Sequence, residues 1–183
     1  MLDMRCFLGI QLPADCRNAI RNSWAISDLE RPSLKLSDPG QWHMTLAFFG
    51  EVAYDQLLRL VQLSGQALET PPQGAIHIPS IQTFPPKKPT MYAAMCMPEQ
   101  EAMWRQCITH LVDMASICAP QIDRKPWIPH ITLARTRGSR ILDPLEISLD
   151  NIGWVPEFAT LYRSEPTATG HKFIPLHEYR LNF

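Results

Sequence analysis

The sequence carries almost no net charge. Its 17 lysine and arginine residues are balanced by 18 aspartate and glutamate residues, which leaves a net charge of −1. A protein that grips long nucleic acid through the phosphate backbone normally carries a broad basic field. The charge balance therefore argues against such a protein, and we expect any nucleic-acid substrate to be held by its end or as a small fragment.

Cysteine is sparse and shows no pairing pattern. The chain has five cysteines, an odd number, and no C-x-x-C pair (Cys6, Cys16, Cys96, Cys107 and Cys118). Each lies in an apolar periodic segment, which predicts buried free thiols in a reducing compartment. No hydrophobic run reaches membrane-spanning length, and residues 1–5 do not resemble a signal peptide. These features predict a soluble, cytoplasmic protein without a membrane partner.

Low-complexity and disordered stretches are also missing, since 45% of the residues are hydrophobic and 19% are charged. The 17 prolines favour many strand ends and structured loops over a bundle of long helices. Periodicity predicts strands at 6–12, 42–49, 74–84, 90–97, from 130 onward, 154–163 and 171–182, and helices at 13–28, 54–68 and from 98 onward. Gly50 is expected to end the second strand. The third helix is expected to bury Met103, Cys107, Leu111, Met114 and Cys118.

One short motif occurs twice, as residues 43–47 and as residues 130–134, and four of its five positions are identical. At average residue usage, a second copy by chance is roughly a one-in-several-hundred event. Both copies are predicted to be β-strands, in which residues i and i+2 share a face. His43 and Thr45 then project from one side of their strand, as do His130 and Thr132.

The motif belongs to a longer repeat. The two histidines are 87 positions apart, and the same shift carries the strand at 6–12 and its helix onto the strand at 90–97 and the third helix. This shift aligns Tyr92 with Arg5, so that either both point inward or neither does. Similar halves usually pack about a pseudo-two-fold axis, which brings equivalent segments face to face. The repeat therefore predicts that both motif strands line one cleft within a single domain, residues 1–183, built of two pseudo-repeated lobes.

Two histidines in one cleft can hold opposite protonation states near neutral pH. The neutral one takes a proton from water, and the protonated one gives a proton to a leaving oxygen. The threonine hydroxyls can donate hydrogen bonds to phosphate oxygens as charge builds in the transition state. The constellation predicts a phosphate-ester site that requires no metal and no cofactor.

Other interpretations compete with this one. A single histidine in a strand is usually structural or exposed, and four histidines lack the repeated context (His77, His110, His171 and His177). Zinc is the next rival, yet neither motif contains an acid or a cysteine, and His-x-His and H-E-x-x-H patterns are absent. A serine or cysteine nucleophile lacks an elbow motif.

The paired motifs resemble the signatures of the two-histidine (2H) phosphoesterases, in particular the RNA 2′,3′-cyclic phosphodiesterases, also called 2′-5′ RNA ligases. The resemblance spans nearly the whole chain: residues 5–13 are similar to the opening strand, 42–52 to the first motif block and 84–89 to the middle hairpin. Residues 124–135 resemble the second block, and 161–164 with Gly170 resemble the end. Phe173 departs from the family, which often has tyrosine there.

The resemblance implies an α+β fold that is bilobal, with two pseudo-symmetric antiparallel sheets and outer helices around a central cleft. It also implies metal-free opening of an RNA 2′,3′-cyclic phosphate to a 2′-phosphate, with His43 as proton donor and His130 as proton acceptor. The same cleavage with a 5′-hydroxyl RNA end in place of water makes a 2′-5′ linkage without ATP. The donor and acceptor could be exchanged within the same constellation.

Four further residues are weaker candidates for contacts with the substrate. Arg135 resembles the family's arginine just past the second motif, which implies a phosphate contact. Strict alternation puts it on the face opposite His130, so it serves only if the strand ends or bulges there, or if its long side chain wraps around. Arg124 and Trp127 precede the second motif and could overhang the cleft, the first to bind phosphate and the second to stack on a base. The alternative for Trp127 is a place in the core. Tyr92 is a candidate for a base or ribose contact.

We therefore expect an enzyme that acts on RNA ends or small nucleotides with a 2′,3′-cyclic phosphate. Alternatives are a 2H phosphodiesterase for 2′-5′ oligonucleotides or small cyclic nucleotides, and a noncatalytic module that binds RNA ends or nucleotides. Nothing in the sequence demands more than a monomer.

Overall fold

The computed structural model describes residues 3–23, 33–138, 140–168 and 170–181. In these ranges it contains three α-helices, α1 (Ala14–Ser23), α2 (Leu57–Ala67) and α3 (Glu101–Ala115). Its strands are β1 (Met4–Gln11), β2 (Leu34–Leu36), β3 (His43–Val52), β4 (Ile76–Phe84), β5 (Met91–Pro98), β6 (His130–Thr136), β7 (Glu146–Ser148), β8 (Gly153–Trp154), β9 (Phe158–Thr167) and β10 (Gly170–Arg180).

The strands form an antiparallel array in the order β10-β9-β1-β3-β6-β5-β4-β7, with β2 paired to β6 and β8 paired to β4. Four strands on each side of its centre make up the two halves. The halves meet at β3 and β6, which are bridged through Met44 and Ile131. This arrangement confirms the expected α+β fold with two antiparallel sheets, which are continuous through that residue pair.

The helices cover the apolar face of the array. Cys16 and Ile20 of α1 are buried, as are Leu60 and Ala67 of α2. The predicted extension of α1 to residue 28, with Trp24, lies outside the described residues. The five cysteines are free, and all but Cys107 are buried. Among the described helices, none is both long and apolar enough to cross a membrane.

The motif strand β3 does not end at Gly50, as the sequence suggested, but continues to Val52. Gly50 has a φ of +72°, and a Cβ added there would lie 2.8 Å from the Cβ of Gln121. Glycine is therefore required at this position, because a side chain would be both strained and obstructed. Gly50 itself pairs with Cys6 of β1, so the strand pairing continues through this position.

The expected start of α3 was wrong, and its expected buried face was only partly right: Leu111 and Cys118 are buried as expected, and Cys107 is half-buried. The helix begins at Glu101 because Pro98 still pairs with Ile76 of β4. Its fully buried face consists of Trp104, Ile108, Leu111 and Ala115, whereas Met103 is 51% exposed. The short strands β2, β7 and β8 were not predicted, and β9 lies later in the chain than the strand predicted at 154–163.

Candidate active site

The two motif strands are neighbours, so their side chains share one surface. Met44 pairs with Ile131 in antiparallel register, and both side chains are fully buried. Continuing that register by one residue each way sets His43 opposite Thr132 and Thr45 opposite His130. These flanking side chains are only partly buried and lie on the face opposite the core. Diagonal neighbours in such a pair are roughly 7–8 Å apart, which leaves room for a phosphate between the two imidazoles.

Both imidazoles are oriented in the same way. The Nδ1 atom of His43 lies 2.8 Å from the carbonyl oxygen of Gln41, and that of His130 lies 2.8 Å from the carbonyl oxygen of Ile128. Since a carbonyl oxygen can only accept, Nδ1 carries the proton in both rings. The Nε2 atom of each ring is thus the one that can accept a proton.

Aromatic rings hold the imidazoles in place. Phe7 stacks on His43 with ring centroids 4.7 Å apart, and Phe173 meets the same imidazole edge-on at 5.0 Å. Phe84 lies 4.9 Å from His130. A Cβ at Gly9 would come within 3.1 Å of the His43 ring, so the glycine provides the space that the ring occupies.

The pKa of each histidine lies below its usual value. Burial is the main cause for His43; the charge of His130 lowers its pKa further, and the hydrogen bond to Gln41 raises it. Burial also dominates for His130, whose pKa is raised by the hydrogen bond to Ile128 and lowered by the nearby Arg135. Both rings therefore favour the neutral form, and the negative charge of a bound phosphate would favour protonation.

Arg135 lies on the same face as the motif side chains because β6 contains a bulge. Tyr92 of β5 pairs with Ala134 and Ala93 pairs with Thr132, which leaves Leu133 as an extra residue. Leu133 and Ala134 are both buried, and the alternation restarts one position later. The Arg135 guanidinium donates a hydrogen bond of 3.2 Å to the Thr132 hydroxyl. The strand bulge that would turn Arg135 toward the motif side chains is thus present in β6.

Trp127 and Arg124 occupy different surroundings. The Trp127 indole N–H donates to the carbonyl oxygen of Thr45 at 2.8 Å, which ties the loop before β6 to β3. Arg124 lies 3.7 Å from Asp113 on α3, and both side chains are exposed. Trp127 is thus hydrogen-bonded to a motif strand, whereas Arg124 forms an ion pair with Asp113 of α3.

Tyr92 lies in the hydrophobic core, and its position in the second half does not correspond to that of Arg5 in the first half. Gly9 pairs with Thr45 and Ala93 pairs with Thr132, so these two strands are related by a shift of 84 positions, whereas the motifs are related by 87. The equivalent of Tyr92 is therefore Leu8. The alignment by 87 was wrong here because the second half has a longer connection before its motif strand.

Several residues at this site lie outside the repeated motifs and were not predicted from the sequence. Phe7 could have been found, because Leu8 and Ile10 face the core and alternation turns Phe7 toward the motif histidines. The sequence does not show the backbone geometry that brings the carbonyl oxygens of Gln41 and Ile128 to the two imidazoles. It also does not show the strand pairing that places the Phe84 ring beside His130. A pocket of about 200 Å³ beside His43 was also not predicted.

The remaining histidines lie outside this constellation: His77 contacts Glu99, His171 contacts Ser164, His177 packs on Tyr179, and His110 is exposed on α3. Within the described ranges, no group of three or more histidine, cysteine, aspartate or glutamate side chains is arranged to hold a metal ion.

Known proteins match both the sequence and the fold. The RNA 2′,3′-cyclic phosphodiesterase of Methanothermobacter thermautotrophicus is 23% identical over 98% of this chain and 100% of its own length. The crystal structure of TT0787 from Thermus thermophilus is 25% identical, with a TM-score of 0.80 over 97% of this chain and 98% of that one. E. coli LigT complexed with phosphate is 22% identical, with a TM-score of 0.75 over the full length of both chains.

The family model of the 2′-5′ RNA ligase superfamily matches residues 14–160, which include both histidine motifs. The chain belongs to this superfamily of 2H phosphoesterases.

Proposed function

We propose that this protein hydrolyses the terminal 2′,3′-cyclic phosphate of RNA to a 2′-phosphate, without a metal ion. The observation that carries the proposal is the common surface of β3 and β6, on which two imidazoles and two threonine hydroxyls lie side by side. The name of the Methanothermobacter relative supports the same reaction. Residues 1–183 form one catalytic domain in this proposal, and five free thiols suit a reducing compartment such as the cytosol.

Each histidine has one role. With phosphorus between the rings, Nε2 of His130 takes a proton from water as the water oxygen bonds to phosphorus. The bond between phosphorus and O3′ breaks, and Nε2–H of His43 delivers a proton to O3′. The products are a 3′-hydroxyl and a 2′-phosphate. General acid and base catalysis of this kind contributes roughly 10²- to 10⁴-fold each.

Arg135 favours this assignment of roles. Its positive charge acts on His130 and lowers that pKa, which keeps His130 neutral and able to accept a proton. The arginine and the hydroxyls of Thr45 and Thr132 bind the non-bridging phosphate oxygens. When a 5′-hydroxyl of RNA replaces water, the same steps form a 2′-5′ linkage, and no ATP is consumed because the strained cyclic ester supplies the energy.

The test is hydrolysis of an RNA oligonucleotide that ends in a 2′,3′-cyclic phosphate, in excess EDTA, with the position of the product phosphate resolved. We expect wild type to form the 2′-phosphate. His43→Ala and His130→Ala should each lose at least about 10²-fold in kcat. His110→Ala is the matched control, because that histidine is exposed on α3.

Other outcomes would point elsewhere. A 3′-phosphate product would reverse which oxygen leaves. Turnover only after metal is added would indicate a metalloenzyme. Tight nucleotide binding that survives in both alanine variants, with no turnover by wild type, would indicate a binding module.

A further inference from the structure

The pocket beside His43 has the size and surroundings of a site for a nucleobase. Its volume is about 200 Å³, and its walls include Gln11, Gln41, Tyr162, Phe173 and Glu178. Tyr162 stacks on Phe7 at 5.1 Å, and Phe7 stacks on His43. The aromatic wall of the pocket is therefore continuous with the catalytic imidazole.

The chemistry of the proposed reaction places the terminal nucleoside on this side of the cleft. His43 delivers its proton to O3′, and O3′ is bonded to the ribose. The sugar therefore lies against His43, while the attacking water lies against His130. A base attached to that sugar reaches the pocket, where Tyr162 and Phe173 offer aromatic surfaces of the kind on which RNA bases stack. This step rests on the proposed function.

The amide groups of the pocket are largely committed to the protein. Gln41 accepts from the backbone N–H of Phe173 at 2.8 Å and donates to Asp38 at 3.3 Å. Gln11 donates through Nε2 to the carbonyl oxygen of Gly40 at 3.0 Å. These bonds hold the turn before His43 in place, and they leave the Oε1 atom of Gln11 and one amide hydrogen of each glutamine for a ligand.

Glu178 lies at the exposed edge of the pocket. In the part of the chain that the structure describes, its carboxylate forms no salt bridge and no hydrogen bond. It lies near Tyr162: burial raises the pKa of the Tyr162 phenol, the Thr160 side chain lowers it, and the charge of Glu178 raises it again. A carboxylate can only accept hydrogen bonds, so a ligand that binds Glu178 must present donors to it.

We propose that this pocket selects guanosine as the 3′-terminal nucleoside, with Glu178 accepting hydrogen bonds from the N1–H and N2–H groups of guanine. Guanine presents these two donors side by side, which matches the two oxygens of one carboxylate. Adenine and cytosine place an acceptor nitrogen beside their amino group, and uracil flanks its single N–H with two carbonyl oxygens. Each of these three bases would set a lone pair against the carboxylate, which costs binding energy.

The experiment measures kcat/KM for short RNA oligonucleotides that differ only in the 3′-terminal nucleoside, each ending in a 2′,3′-cyclic phosphate. We expect wild type to prefer guanosine over uridine by at least about tenfold, the scale of one hydrogen bond to a charged group. Glu178→Gln should lower the ratio of guanosine to uridine by about the same factor. Glu69→Gln is the matched control, since Glu69 is an exposed glutamate outside the pocket.

The outcomes separate this inference from the proposed function. Equal kcat/KM for the four ends in wild type overturns the guanosine assignment and leaves the hydrolysis intact. A Glu178→Gln variant that slows all four ends alike, with the ratio unchanged, also overturns it, because a merely structural role predicts that result. If wild type hydrolyses none of the four, the proposed function itself fails.

Discussion

A single arginine distinguishes the two histidine environments. Arg135 pairs with Met91 of β5, and its equivalent Phe48 pairs with Phe7 of β1. Where the second half has the charged Arg135 beside its motif, the first half therefore has the uncharged ring of Phe48. The Arg5 guanidinium lies over this ring, 4.8 Å from its centre. The two halves share a scaffold but differ at this position, so the surroundings of His43 and His130 are not equivalent.

The pH dependence of kcat/KM should report this asymmetry. Activity rises with pH as His130 loses its proton and falls with pH as His43 loses its own. Since the pKa values of both free histidines are lowered, the optimum should lie below about pH 6.5. Arg135→Met removes a charge that lowers the His130 pKa, so the rising limb should move to higher pH, and kcat/KM should fall by about 10- to 100-fold.

The measurement is a pH profile of the hydrolysis of cyclic-phosphate RNA by wild type and Arg135→Met. Arg59→Met, a change on α2, serves as the control for loss of a positive charge elsewhere. A rising limb that stays in place after Arg135→Met would contradict the electrostatic role of the arginine, even if the rate falls.

At the scale of the strand, the repeated motif specifies a bulge as well as two side chains. In β3, Ala47 pairs with Leu8 and Thr45 with Gly9, so Leu46 is the extra residue. Leu133 is the extra residue in β6. The shared Leu-Ala sequence supplies two consecutive buried residues in each strand, and this reverses the facing of the residue that follows, Phe48 in β3 and Arg135 in β6.

The loop before β6 makes a prediction about stability. Trp127→Phe removes the N–H that bonds to the Thr45 carbonyl and keeps an aromatic ring near Trp104 and under Arg105. The free energy of unfolding should fall by about 1 kcal/mol, measured by urea denaturation. KM should change little. An unchanged stability with a raised KM would instead support the base contact that the sequence suggested for this tryptophan.

Local patterns predicted these elements better than they predicted contacts between them. The alternation around His43 and His130 identified the motif strands, because the apolar residues between them reveal the buried face. The buried face of α3 was predicted correctly at Leu111 but not in its first turn, since Met103 and Trp104 are both apolar and only the neighbouring elements decide which is buried. The side on which Arg135 lies and the position of Tyr92 depend on register between strands distant in sequence.

At the scale of the molecule, the site straddles the junction of two halves. Each half supplies one imidazole, one threonine hydroxyl and the aromatic contacts to its own histidine. The halves are held together at the site by the pairing of Met44 with Ile131, whose side chains lie directly beneath the catalytic surface. The separation of the two imidazoles is therefore set by packing in the core, and we expect the proposed catalysis to be sensitive to these buried residues.

Ile131→Val tests this dependence. Loss of one buried methylene should cost about 0.5–1.5 kcal/mol of stability. The small cavity lets β6 shift against β3, so kcat should also fall by about three- to tenfold, because acid and base must reach opposite sides of one phosphorus. Ile81→Val is the matched control: Ile81 is equally buried but lies in β4, away from the junction. Equal losses of stability with a fall in kcat only for Ile131→Val would show that the junction sets the catalytic geometry, whereas parallel losses in both variants would place the effect in general stability.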